Sequence, residues 1–180
     1  MTTTRQMPPK DINLTNVPFP QPGTWGVCPG VGPIAAIIRH ATASWAGHAV
    51  MYVGKGQIVQ ATWPKVKLSA APTNNILWAT GQPLTDNQRA VICMRASQLL
   101  GDGYDWIIYP FLLAAIFDAA ITKDVSRLFH SDKWRDCSGL CEDCDNVAGA
   151  SMFPDSIYPD FVTPAMLMNL GAQKGWFQGQ

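Results

Sequence analysis

Three residues in this chain have side chains suited to nucleophilic chemistry, at spacings that invite a common site: His48, Gln60 and Cys137. Cys137 follows Asp136, an acidic residue able to cap a helix. The residues after it, Cys137-Ser138-Gly139-Leu140-Cys141-Glu142-Asp143-Cys144, read as that helix, with Leu140, Cys141, Cys144 and Val147 on one apolar face. A thiol at a helix start feels the positive end of the dipole, which favours the thiolate. An imidazole such as His48 can take the thiol proton and return it to a leaving group. The side-chain oxygen of Gln60 can accept from one ring nitrogen of His48 and leave the other free for Cys137. The backbone N–H groups of Cys137 and Ser138, at the open end of the helix, can serve an oxyanion.

These residues need elements to hold them. Two β-rich runs, 47–53 and 57–61, flank Gly54-Lys55-Gly56 and predict a hairpin. Alternation puts His48, Val50 and Tyr52 on one face of the first strand, with Ala49, Met51 and Val53 on the other. Pairing across the turn can bring His48 near Gln60. Residues 66–68 and 76–79 predict two more strands. Thr85-Asp86-Asn87-Gln88 is a capping box opening a helix that stops at Gly101, with Val91, Ile92, Met94, Leu99 and Leu100 as its buried side. Cys93 reads as a small core residue. Pro33 suits the first turn of a short helix ending near Thr42, and His40 on it reads as a structural or solvated residue. An apolar helix is expected over 106–121, then a polar loop to 133. A last short helix is expected near 164–170.

Composition narrows the class. The chain has 180 residues, 47% hydrophobic and 14% charged, with net charge zero and pI near 6.8. That suits one domain with one core. It argues against a protein driven by phosphate contacts, so no nucleic-acid partner is expected. Seven prolines in residues 1–33 predict an irregular arm, packed through Phe19 and Trp25; the arm is taken as 1–32 and the domain as 33–180. The run 106–121 is broken by Pro110 and Asp118, so no transmembrane segment is expected. The first residues carry no apolar signal segment, which leads us to expect a cytoplasmic setting.

The quoted segments resemble a known family. Asp136-Cys137-Ser138-Gly139-Leu140 is similar to the Asp-Cys-Ser-Gly-(Leu/Phe) signature of the NlpC/P60 cysteine peptidases. The 47–54 segment resembles their catalytic-His strand, and 57–61 the strand carrying their third polar residue. Leu99-Leu100-Gly101 with Tyr104-Asp105-Trp106 resembles the segment before their Cys helix. Together these cover roughly residues 45–145. His before Cys is the order of the circularly permuted (YiiX-type, permuted papain-like amidase) branch, which Arg39 and Val66-Lys67-Leu68 also resemble. That branch more often has Ser-Glu-Leu after the Cys, and His, Asn or Glu where Gln60 stands. The resemblance implies an α+β, permuted papain-like fold, a small antiparallel β-sheet packed by helices. It implies a cysteine hydrolase forming a thioester on Cys137, with His48 as base and acid, Gln60 as orienter and Tyr104 as oxyanion helper. No cofactor and no metal are expected. The implied substrates are peptides or other amides, peptidoglycan stem peptides among them. The alternatives are a lipid-directed acyl hydrolase or transferase, or an inactive interaction module. A wall-peptidase resemblance is compatible with a phage protein acting in a virion or host cell.

Cys137-x3-Cys141-x2-Cys144 also has the spacing of the iron–sulfur motif of radical SAM enzymes, and with His130 it offers four zinc ligands. Only 36 residues follow Cys144, too few for the barrel such enzymes need. Three thiols along two turns of one helix also converge poorly on a tetrahedral ion. Cys141 and Cys144 are therefore expected in the core.

Overall fold

The computed structural model describes residues 5–10, 12–104, 134–154, 157, 159 and 162–177. The expected apolar helix at 106–121, the polar loop after it and His130 lie outside the described residues. The fold is α+β. In chain order it runs β1 (Thr24–Cys28), α1 (Gly32–Ala41), β2 (His48–Gly54), β3 (Gln57–Thr62), β4 (Lys65–Ala70), β5 (Leu77–Trp78), α2 (Asp86–Gln98), β6 (Gly103–Tyr104), β7 (Trp134–Arg135), α3 (Cys137–Val147) and α4 (Pro164–Gln173). The strands form one open sheet in the order β5-β1-β2-β3-β4-β6-β7. Among the described residues, every pairing between these strands is antiparallel except β6 with β7.

The hairpin forms as expected, with Met51 opposite Val59 and Tyr52 opposite Ile58. Its alternation sorts the two faces of the sheet. Ala49, Met51, Val59 and Ala61 pack into the main core with Leu140, Cys141 and Cys144 of α3, Ile92 and Ala96 of α2, and Leu167 and Met168 of α4. Val50, Tyr52 and Ile58 belong to a smaller cluster on the other face, with Trp78 and Ile76.

The expected irregular arm needs correction. Residues 24–28 form β1, which lies between β5 and β2 inside the sheet. Pro18, Pro20 and Pro22 before it and Pro29 after it cannot donate to a ladder, but the five residues of β1 can. Trp25 is fully buried and meets Trp176 and Phe177 edge-on, with centroids 6.3 and 5.9 Å away. Phe19 does stack on Tyr52, at 5.7 Å. The domain core therefore reaches back at least to β1.

The Thr85 capping box forms with both reciprocal bonds. The buried side of α2 is Ile92, Ala96 and Leu99, while Met94 and Leu100 face solvent. Residues 92, 96 and 99 keep the helical spacing. Val147 is likewise exposed at the end of α3, and Cys93 is half-buried. His40 is exposed, the solvated one of its two expected readings. None of the helices among the described residues is long and apolar enough to cross a membrane.

Candidate active site

α3 begins where the sequence predicts. The Asp136 carboxylate accepts from the Gly139 N–H at 2.5 Å, which caps the helix and fixes Cys137 in its first turn. The Ser138 hydroxyl donates to the Val162 carbonyl at 2.6 Å and so ties the helix start to the segment before α4. Gly139 is required by contact. A Cβ there would press on the Asp136 carboxylate and come within 2.9 Å of the Pro159 carbonyl. A longer side chain at this position has no room here.

The His48 Nε2 lies 2.8 Å from the Gln60 Oε1. Extending the Met51–Val59 register places Gln60 opposite Val50, so the bond runs diagonally between neighbours on one face. An amide oxygen can only accept, so Nε2 carries the proton and Nδ1 keeps its lone pair. Burial pushes the His48 pKa down more strongly than the Gln60 bond raises it, and the Lys67 charge lowers it further. The resting imidazole is neutral and basic at Nδ1.

The Cys137 thiol is buried, 1% exposed, and is approached by the backbone amides of Ala49, Cys137 and Ser138. Ala49 is the next residue after His48, so α3 brings the thiol to the first residues of β2. The amides lower the thiol pKa, as a helix start should, but burial is the larger effect and the net direction is up. The expectation of a resting thiolate is therefore corrected. His48 and Cys137 thus both rest uncharged; Cys137 packs in the main core with Ala49, whereas His48 lines the neighbouring cavity with Gln60, and Cys137 is not among the residues lining it.

His48 and Gln60 open onto a cavity of about 810 Å³, and Tyr104 lines it too. The Tyr104 side chain is 3% exposed, and its backbone N–H donates to the Pro64 carbonyl at 3.0 Å. Gly30, with φ +66°, lets the loop after β1 lie against His48; a Cβ there would come within 2.8 Å of the His48 Cβ. Arg39 holds this loop to α1 by donating to the Pro29 and Gly30 carbonyls.

Three residues of this face went unread as site residues in the sequence. Cys28 sits directly opposite His48 in the β1–β2 register and lines the cavity. Burial pushes its thiol up to about 11. Lys67 lies directly opposite Gln60. Thr62, two residues beyond Gln60, has a buried hydroxyl with no hydrogen-bond partner among the described residues. The only advance signal was the period-2 alternation of β3 and β4, which puts residues 60, 62 and 67 on one face once the register is known.

The other thiols of α3 are packed in the core. Cys141 donates to the Cys137 carbonyl at 3.5 Å, inside the helix, and Cys144 is fully buried. Among the described residues, no cluster of three or more His, Cys, Asp or Glu side chains could hold a metal ion.

No protein-family model matches this chain, and no curated protein matches it either.

Proposed function

We propose that this protein is a cysteine hydrolase of the permuted papain-like (NlpC/P60) kind, acting on an amide bond. The observation that carries the reading is the His48 Nε2 bond to Gln60, at the strand end that the helix start of Cys137 abuts. That bond fixes the tautomer in which Nδ1 is the base.

In this reading the Cys137 proton passes to His48 Nδ1 when substrate binds. The sulfur attacks the carbonyl carbon, and the oxygen takes up the negative charge. The N–H groups at the start of α3 stabilise that charge, with Tyr104 as a further donor. Collapse breaks the C–N bond. The amine leaves with the proton from His48, and a thioester stays on Cys137. Water then attacks the thioester with His48 as base, which releases the acid and restores the thiol. The fold type is part of the proposal, supported by a helix that starts at the nucleophile and packs on the strand bearing the base.

A second reading is favoured by one observation: Cys28, not Cys137, is among the cavity-lining residues, opposite His48. The test is an activated acyl donor such as a p-nitrophenyl ester, with peptide mass mapping of the trapped adduct. The expected adduct is on Cys137, lost in Cys137→Ala and in His48→Ala. An adduct on Cys28 alone would transfer the nucleophile to β1. No adduct, or one indifferent to His48, would overturn the hydrolase reading.

A further inference from the structure

The cavity beside His48 has an uneven chemistry. Its wall is α1 and the loop before it, where Val31, Pro33, Ile34 and Ile38 face Val50 and Ile58 of the sheet. Apolar surface dominates the lining. Lys67 is the one charged side chain among the described residues that line it, and no carboxylate accompanies it. The sheet register explains the placement. Cys28 pairs with His48, His48 bonds diagonally to Gln60, and Gln60 pairs with Lys67, so one row crosses four strands on a single face. Thr62 is opposite Lys65, hence diagonal to Lys67 in the same row geometry, and its hydroxyl is buried without a partner among the described residues. A buried hydroxyl left unsatisfied is costly, and a ligand atom that accepts from it removes that cost.

The geometry points to Lys67, with Thr62, as the specificity element of the site: an anchor for the anionic group of an acyl substrate whose apolar chain lies against α1. This rests on the reading of His48 and Cys137 as the reacting pair and adds the substrate class. The amide to be cleaved would join an apolar acyl group to a fragment carrying a carboxylate. Lys67 lies one strand beyond Gln60, so an anion held there leaves His48 free to face the amide. Lys67 is itself exposed, so it meets the ligand at the mouth, and the apolar chain enters the interior. The positive charge of Lys67 also disfavours protonation of His48. An anion bound at Lys67 offsets that effect and favours proton transfer from the thiol.

The test uses the full chain with Cys137→Ala, so that binding is read without turnover. The probes are N-dodecanoylglycine, its uncharged amide N-dodecanoylglycinamide, and N-acetylglycine, followed by titration calorimetry. N-Dodecanoylglycine should bind at least fivefold tighter than either of the others. Adding Lys67→Met should erase its advantage over the amide, and Lys67→Arg should keep it. Lys67 is exposed, so these changes leave the core intact. Equal binding of acid and amide, or discrimination that survives Lys67→Met, would overturn the anchor. Equal binding of the acetyl and dodecanoyl acids would overturn the apolar half. Failure of the hydrolase reading would show differently, as a missing acyl adduct with the acid-over-amide preference intact.

Discussion

The His48 Nε2 and the Gln60 Oε1 lie 2.8 Å apart across neighbouring strands, and this bond selects the ring tautomer. Gln60→Leu removes the acceptor while keeping the strand face filled. We expect kcat to fall about a hundredfold, within the range seen for losing an acid–base group or its orienter. Gln60→Glu puts a carboxylate on the ring, so the imidazole pKa should rise. NMR titration of His48 in the two variants checks both statements, and an unmoved imidazole in Gln60→Glu would break the link.

Burial raises the Cys137 thiol, so at any given pH it holds less thiolate than a free cysteine. The resting protein should therefore be alkylated at Cys137 by iodoacetamide more slowly at pH 8 than a small thiol is. The rate should climb only at a pH above the range in which an ordinary thiol ionises. Peptide mapping against pH gives the answer, and a fast plateau below pH 8 would mean that the ion pair already exists at rest.

Asp145 is fully buried, and its Oδ2 accepts from the Gln82 Nε2 at 2.6 Å. Its Oδ1 and the Gln82 Oε1 have no hydrogen-bond partner among the described residues. Burial pushes the Asp145 pKa to about 8, with Glu142 adding to the rise and Arg89 opposing it. Protonation removes the buried negative charge that desolvation penalises. The folded pKa lies above the unfolded value of about 3.9. The native state therefore holds a proton that the unfolded chain has lost, and stability declines as pH rises from about 4 to about 8. Asp145→Asn keeps the size of the side chain and cannot titrate. Its Tm should vary less between pH 5 and pH 8 than that of the wild type, which differential scanning calorimetry reads directly.

Cys141 and Cys144 fill the core under β2. Changing either to Ala removes buried volume without touching His48 or Gln60. We expect a loss of about 1–2 kcal/mol in stability, in the usual range for a small cavity. Turnover should stay within about twofold. Urea unfolding and a parallel rate assay separate the two effects, and abolished turnover in a folded variant would show a role beyond packing.

The start of α3 has its own test. Asp136→Ala removes a cap, at about 1 kcal/mol. Gly139→Ala drives a methyl group toward the Asp136 carboxylate and the Pro159 carbonyl. Thermal melts should show both variants destabilised. Cys137 adduct formation should fall with them, because the helix amides are displaced.

Several features were legible in the amino-acid order because they depend on neighbours within one or two turns. The Asp136 cap, the Thr85–Gln88 capping box and the 54–56 turn are of this kind. So is the shared face of His48, Val50 and Tyr52. Alternation and capping act over two to four residues, so a linear reading captures them. Tertiary structure decided the rest. β1 joins the sheet because β2 and β5 flank it, and its prolines only bracket it. The row Cys28–His48–Gln60–Lys67 exists because three strand registers happen to align. Cys137 rests as a thiol because the assembled core buries it fully, and desolvation there outweighs the helix amides that the sequence made visible. The neutral Asp145 arises in the same way, from burial beside a glutamine 63 positions earlier. Burial and cross-strand register are properties of the assembled sheet, which no local pattern encodes.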